Sequence, residues 1–224
     1  HLSLPVDIMF SSFDENAGRQ ERPFDLTAQA PARAWPEPAR LQAVLDRIAA
    51  AKRPVLIGGH GVWWSGGEAL LEEAGRSLGI PIFNIPYHQK LLGEECEAYM
   101  GLADAHQYHP SADAFNDSDL ILMIGARLDN QMNFGNAPLF PATTTLCCIN
   151  GSHEEIDFNR AADVTLLSDP GAFLQALIDA GKSGSITPDR SWYNLNRQHR
   201  DAWVARMIAD VEAEAATPEF GGRI

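Results

Sequence analysis

The chain has 224 residues, a hydrophobic content of 45% and a formal net charge of −13 at pH 7. A chain of this length and composition can bury a substantial core, so we expect one domain with tails. The acidic surplus repels phosphate backbones and anionic membrane surfaces, which excludes nucleic acid and membranes as expected partners.

The three cysteines favour a cytoplasmic location. Cys147 and Cys148 are neighbours in a predicted strand, where adjacent side chains point to opposite faces, and Cys96 is left over. No run of about 18 apolar residues predicts a membrane span, and the first residues lack the pattern of a signal peptide. We therefore expect reduced, buried thiols.

The first 36 residues predict the tail of a preceding domain and a linker. Residues 1–9 have the pattern of a strand end, and residues 11–38 are rich in Ser, Asp, Glu, Arg and Pro. Such composition, without apolar periodicity, is typical of a linker on a surface. With no Met at position 1, we expect the chain to begin inside a larger protein.

Helices and strands alternate in the rest of the chain. Leu41, Val44, Leu45 and Ile48 form one apolar face of a helix over 38–51. Apolar runs predict strands at 54–57, 80–84, 119–125, 144–149 and 164–167. Further helical patterns cover 65–78, 111–116, 153–159, 169–180 and 189–215, with an irregular stretch before residue 111.

This alternation predicts an α/β fold, a doubly wound, Rossmann-like parallel sheet of about six strands with helices on both faces. Residues 37–182 would form this domain. Residues 183–224 would form a linker helix, because no strand follows it. Its predicted apolar face contains Trp192, Leu195, Trp203 and Met207.

The turn after the first strand is the first candidate binding site. Gly59, His60, Gly61 and Val62 place glycines where backbone N–H groups approach a phosphate at a helix N-terminus. A tight bend between strand and helix would require the same glycines. The third glycine of the dinucleotide-binding pattern is replaced by Trp64, and no acid ends the second strand, which disfavours an NAD dehydrogenase.

The carboxyl end of the 119–125 strand is the second candidate. Arg127 follows Gly125 and Ala126 there, and its guanidinium suits phosphate or carboxylate, although a structural ion pair with Asp129 is the alternative. His88 and Lys90, in the loop after the second strand, could face the same anionic ligand. The pattern predicts no catalytic triad and no metal site.

Four segments carry a resemblance to a known family: HLSLPVDI (1–8), RPVLIGGHG (53–61), SDLILMIGARLD (118–129) and ADVTLLSDPGAFL (162–174). Their order and spacing resemble the acetolactate synthase-like thiamine-diphosphate-dependent enzymes. The resemblance implies the central domain of a larger enzyme, whose missing N- and C-terminal domains hold thiamine diphosphate and Mg²⁺. The motifs of those domains do not occur in this sequence, so the resemblance implies no catalytic residue in this chain and an inactive isolated chain.

The resemblance also implies a nucleotide site, because central domains of this family bind FAD, ADP or the nucleotide part of CoA, or no nucleotide. The corresponding positions are the glycine turn, the Gly125–Asp129 segment and Asn150. Asn150 and Ser152 stand where the family often has acids, so we expect weak or no FAD binding.

The implied parent is a homodimer or homotetramer that acts as a 2-oxo acid carboligase or decarboxylase. A 2-hydroxyacyl-CoA lyase, an oxalyl-CoA decarboxylase or a benzaldehyde lyase is the alternative within the family. A stand-alone nucleotide-binding or scaffolding module is the alternative of another class.

Overall fold

The computed structural model describes residues 5–10, 12, 33–86, 91–104, 106, 108–186 and 190–215. Its contacts divide the chain into two units, His1–Ala32 and Arg33–Ile224. Most of the predicted linker, and both His88 and Lys90, lie outside the described residues. In the first unit, Val6–Met9 is one helical turn, α1, and not the predicted strand end. The Phe10 N–H donates to the Val6 carbonyl at 3.2 Å, so the turn satisfies backbone groups locally, which an isolated strand cannot do.

The second unit is built on a six-stranded parallel sheet. Its strands are β1 (Pro54–Gly58), β2 (Ile82–Asn84), β3 (Tyr99–Leu102), β4 (Leu120–Ile124), β5 (Thr145–Asn150) and β6 (Val164–Leu167). Their order is β3-β2-β1-β4-β5-β6, and every pair is parallel. This confirms the predicted fold class. This is the strand order of a doubly wound sheet. Successive strands are added outward on one side of β1, and after β3 the chain returns to add β4, β5 and β6 on the other side.

Six helices accompany the sheet in the described part of this unit. They are α2 (Pro38–Ala50), α3 (His60–Trp64), α4 (Glu68–Leu78), α5 (His109–Asp117), α6 (Pro170–Lys182) and α7 (Arg190–Ala215). α4 packs on α6, and α5 packs on α7. β4 is buried along its whole length, as its continuous apolar sequence predicts for a central parallel strand. No helix in the described ranges is long and apolar enough to cross a membrane.

Three predicted elements differ from the structure. The predicted helix 65–78 begins only at Glu68, as α4, and the short helix α3 precedes it, because Gly66 adopts a left-handed φ of +61° that an α-helix cannot contain. The stretch predicted to be irregular contains β3. The predicted helix 153–159 is only a 3₁₀ turn, His153–Glu155, because Asp157 and Asn159 have positive φ values.

Candidate functional site

A cleft opens at the carboxyl ends of β1 and β4, where the strand order reverses. Loops after neighbouring strands diverge at such a point, and open α/β sheets bind ligands there. The cleft has a volume of about 330 Å³. Its lining residues are His60, Gly61, Trp64, Ile85, Gly125, Ala126, Arg127, Asp129, Asn150 and Glu155.

The structure brings most of the predicted binding residues together at this cleft. Of the nine, seven line it: His60, Gly61, Gly125, Ala126, Arg127, Asp129 and Asn150. The other two, Gly59 and Val62, do not line it. Val62 is fully buried, and a Cβ on Gly59 would collide with the Gly125 carbonyl oxygen and with Ala126. Both residues are buried behind the lining residues' backbone contacts and are not exposed to the cleft.

Close packing between two backbones explains the glycines of the turn. Gly125 has a φ of +57°, and a Cβ on it would lie 2.6 Å from the Gly61 Cα and 2.7 Å from the Val62 nitrogen. A Cβ on Gly61 would in turn lie 2.7 Å from the Gly125 Cα. The turn after β1 and the turn after β4 therefore touch through glycine backbones, a distance that side chains would prevent.

Three N–H groups of the turn donate to backbone carbonyls. The Gly59 N–H donates to the Ile124 carbonyl (3.0 Å), the Gly61 N–H to the Gly125 carbonyl (2.9 Å), and the Val62 N–H to the Gly59 carbonyl (3.0 Å). A phosphate-binding turn directs such N–H groups at its ligand instead. These three N–H groups thus stabilise a tight bend between strand and helix.

Arg127 is held by an acid from the end of the neighbouring strand. Its Nη1 lies 3.3 Å from Oε1 and 3.5 Å from Oε2 of Glu155, and its Cζ lies 5.2 Å from the ring centroid of Phe158. The sequence suggested Asp129 as the structural partner, but the ion pair is with Glu155. Because half of the Arg127 side chain is exposed, this pair contributes only about 0–1 kcal/mol to stability. A ligand anion would have to compete with Glu155 for the guanidinium.

The remaining polar groups of the cleft support local turns. The Asp129 carboxylate accepts the Gln131 N–H at 3.1 Å and caps the 3₁₀ segment Asn130–Gly135. The Asn150 Oδ1 accepts the Ser152 N–H at 3.2 Å. With Asp129 and Glu155 against Arg127, the cleft has more carboxylates than guanidinium groups, so its field opposes a polyanionic ligand.

Sequence reasoning missed three lining residues. The sequence singles out Trp64 only as the residue that replaces the third glycine, yet it lines the cleft while 79% exposed. Its position three residues after Gly61, on the same side of a helical turn, was the available signal. Ile85 follows β2 directly. Glu155 follows β5, and an acid placed after a strand next to β4 was the signal for it.

The described residues form neither a metal site nor a reactive thiol. Within the described ranges, no three His, Cys, Asp or Glu side chains meet as a metal site requires. Cys96, Cys147 and Cys148 are free and buried. Burial raises the pKa of Cys147 to about 12 and that of Cys148 to about 11, so these thiols stay protonated at neutral pH and are poor nucleophiles.

Comparison of the sequence with known protein families shows to which family the chain belongs. Residues 41–177, more than half of the chain, match the family described as thiamine pyrophosphate enzyme, central domain. The chain belongs to this family. The matched range begins in α2 and ends in α6, so it contains the whole sheet and the cleft. The resemblance inferred from the sequence is thereby confirmed.

Proteins similar to this central domain include larger enzymes. The "Probable acetolactate synthase large subunit" of Methanococcus aeolicus is 24% identical over 92% of this chain and 34% of its own length. "2-hydroxyacyl-CoA lyase 1" of Dictyostelium discoideum is 26% identical over 72% of this chain and 26% of its own. The structure of benzoylformate decarboxylase from Polynucleobacter necessarius shares the fold, with a TM-score of 0.57 at 18% identity over 78% of this chain and 32% of that one. The chain thus spans about a third, or less, of these relatives.

Proposed function

We propose that this chain is the structural central domain of a thiamine-diphosphate-dependent enzyme that makes or breaks a carbon–carbon bond next to a carbonyl group. The observation that carries the proposal is the match of residues 41–177 to the central-domain family. The family description as a central domain and the short coverage of the relatives support a parent with further domains. By analogy with the acetolactate synthase relative, the parent would be a 2-oxo acid carboligase or decarboxylase.

Thiamine diphosphate and Mg²⁺ would be bound by other domains of that parent. The described residues supply no cluster of metal ligands, and the sequence contains neither a Gly-Asp-Gly motif nor two consecutive asparagines. When bound, thiamine diphosphate supplies the electron sink that stabilises a carbanion. The contribution of this chain is to connect and orient the domains that hold it.

The flanking coding sequence and the activity of the parent test this assignment. We expect the reading frame to continue on both sides, with a Gly-Asp-Gly motif downstream of Ile224. The purified parent should convert pyruvate only when thiamine diphosphate and Mg²⁺ are present. The same assay is repeated with a 2-hydroxyacyl-CoA and with oxalyl-CoA, the substrates of the alternative enzymes. A frame confined to these 224 residues would favour the stand-alone module instead.

We further propose that the cleft does not bind FAD, ADP or CoA with micromolar affinity. Two observations support this proposal. Three N–H groups of the turn donate to backbone carbonyls, and the Arg127 guanidinium forms an ion pair with the Glu155 carboxylate. Calorimetry of the purified chain with each nucleotide tests it, and binding in the micromolar range would contradict it. Glu155→Gln should strengthen any residual ADP binding by freeing Arg127, whereas Glu154→Gln, its exposed neighbour, should not.

Cytoplasmic location and a homodimeric or homotetrameric parent complete the proposal. Three free, buried thiols are typical of a reducing compartment. Cell fractionation with an antibody against the chain tests the location, and sedimentation of the purified parent tests the assembly. Recovery in a membrane or secreted fraction, or a monomeric parent, would contradict the respective part.

A further inference from the structure

The two halves of α7 have different surroundings. In the first half, Tyr193 is fully buried and the Trp192 indole N–H donates to the Pro54 carbonyl at 3.1 Å. In the second half, the apolar side chains lie in the open: Val204, Met207, Ile208 and Val211 have exposed fractions between 41% and 61%. We call these four residues the α7 stripe. Their spacing of three, one and three positions places them on one side of the helix.

A groove of about 620 Å³ adjoins the α7 stripe. It lies between α7 and the edge strand β3, and its apolar walls include Tyr99, Leu102 and Tyr108. Trp203 also lines it, and its ring meets that of Tyr108 edge-on with the ring centroids 4.7 Å apart. The contact between α7 and the body of the domain thus continues directly into an open apolar surface.

We propose that the α7 stripe and this groove form the docking surface for another folded part of the same polypeptide, an apolar surface bordered by Lys and Arg. The proposal rests on the proposed function, which supplies the additional domains. Exposed contiguous apolar surface on a helix is typical of an interaction site. The continuity of the groove with the α7–β3 contact favours an occupant that extends the intramolecular core.

The charges around this docking surface indicate which charges the docked surface carries at its edge. Arg206 is paired with Asp210 at 3.7 Å, and Arg200 pairs with Asp201 and donates to the Tyr99 carbonyl, both at 2.7 Å. The nearby Glu94, Glu212 and Glu214 make carboxylates the surplus charge of this region. A complementary surface therefore presents cations at its edge.

The same charges disfavour a second copy of the chain. An antiparallel pair of α7 helices could place Val204 opposite Val211 and Met207 opposite Ile208. That register would also place Asp201 near Glu214 of the other copy, and a parallel pair would bring each carboxylate beside its own equivalent. Like charges in such positions oppose pairing.

Amide hydrogen exchange in residues 203–213 tests the proposal. It is compared between the 224-residue chain and the longer polypeptide encoded by the same reading frame. We expect exchange in the longer polypeptide to be slower by about tenfold or more, because docking adds a protected state. In that polypeptide, Ile208→Ser should restore fast exchange. Leu195→Ser is the matched control: it is also an exposed apolar residue of α7, but it lies roughly 140° around the helix from Ile208.

Each outcome decides the proposal. Equal exchange in the two polypeptides overturns it, and so does a dimer of the 224-residue chain that sediments as a monomer after Ile208→Ser but not after Leu195→Ser. Slow exchange in a longer polypeptide that lacks thiamine-dependent activity supports docking and contradicts the proposed function. Thiamine-dependent activity of the longer polypeptide with unchanged exchange in residues 203–213 supports the proposed function and contradicts docking.

Discussion

Gly125 shows how a single missing side chain allows the turns after β1 and β4 to touch. Its φ of +57° alone would strain any other residue, and a Cβ there would also meet the backbone of Gly61 and Val62. Gly66 has nearly the same φ, +61°, but a Cβ there would meet nothing within 4 Å. Comparison of Gly66 with Gly125 therefore distinguishes the effect of backbone strain alone from that of strain combined with steric overlap.

We expect Gly125→Ala to lower the free energy of unfolding by about 2–5 kcal/mol, the sum of left-handed strain and overpacking. Gly66→Ala should lower it by only about 1–2 kcal/mol, since strain alone remains. Urea denaturation of both variants measures the difference. Equal losses would show that the two turns are not packed against each other as described.

The two adjacent free cysteines of β5, Cys147 and Cys148, make stability fall at alkaline pH. Burial raises the pKa of Cys147 to about 12 and that of Cys148 to about 11, from a usual value of 9.0. Below pH 9 both states hold the thiol protons, and above it the unfolded chain loses them first. Stability is therefore fully present below pH 9 and declines as pH rises toward 11 and 12, approaching about 1.4 kcal/mol per pH unit for each thiol.

The double variant Cys147→Ala/Cys148→Ala should flatten this decline between pH 8.5 and 10, whatever its effect at pH 7. Urea denaturation at intervals of half a pH unit measures the slope. Val55→Ala, a truncation of another buried side chain in the sheet, should lower stability by the same amount at each pH. An unchanged slope in the double variant would assign the alkaline loss to other groups.

At the scale of elements, Ser65 joins the turn after α3 to the start of α6. Its Oγ accepts the Gly171 N–H at 3.1 Å and donates to the Val62 carbonyl at 2.9 Å, and both bonds are buried. The Arg33 Nη2 donates to the Ser65 carbonyl at 3.0 Å. One hydroxyl therefore fixes the distance between two helices beside the cleft.

Ser65→Ala should cost about 1–3 kcal/mol, because it leaves the buried Gly171 N–H without its acceptor. The amide of Gly171 should also exchange faster with solvent. Ser183→Ala removes an exposed hydroxyl that donates to the Ala180 carbonyl, and it should change stability by no more than about 0.5 kcal/mol. Loss of the same size in both variants would mean that the bond to Gly171 contributes nothing.

The sequence predicts elements best where burial makes the pattern continuous. β4 lies within the predicted strand 119–125 because both its faces are covered. β3 was missed because it is a four-residue edge strand that contains Gly101 at a φ of +119°, a position where a Cβ would overlap the Tyr108 ring. Periodicity carries no signal for such a strand, since its stability comes from distant partners.

The cleft shows the same limit. Its location follows from strand ends in a parallel sheet, so seven predicted residues meet there. The partner of Arg127 lies 28 positions away, after another strand, and a regular helix was predicted over it. The glycine N–H groups donate to carbonyls of Ile124 and Gly125, which are distant in the sequence. Their choice of acceptor depends on how closely the turns after β1 and β4 pack, and no local sequence pattern contains that information.

At the scale of the whole molecule, the sheet and α7 form one structure up to about Trp203. The first half of α7 contributes Trp192 and Tyr193 to the core, whereas the predicted apolar residues Leu195 and Met207 are exposed. The buried face is rotated toward Tyr193 and Asn196, because α7 must contact both β3 and α5. A helix that is buried at one end only should contribute to stability unevenly along its length.

Two truncations test this uneven contribution. Ending the chain after Ala205 removes Met207, Ile208 and Val211 of the α7 stripe while keeping Trp203 and Val204, and stability should change by no more than about 0.5 kcal/mol. Ending it after Ile186 removes Trp192 and Tyr193 and should cost at least about 3–5 kcal/mol, the loss typical of one buried aromatic side chain. Urea denaturation with a single cooperative transition provides both values. A large loss from the shorter deletion would show that the distal half of α7 stabilises the isolated domain, and its apolar residues would then need no external partner.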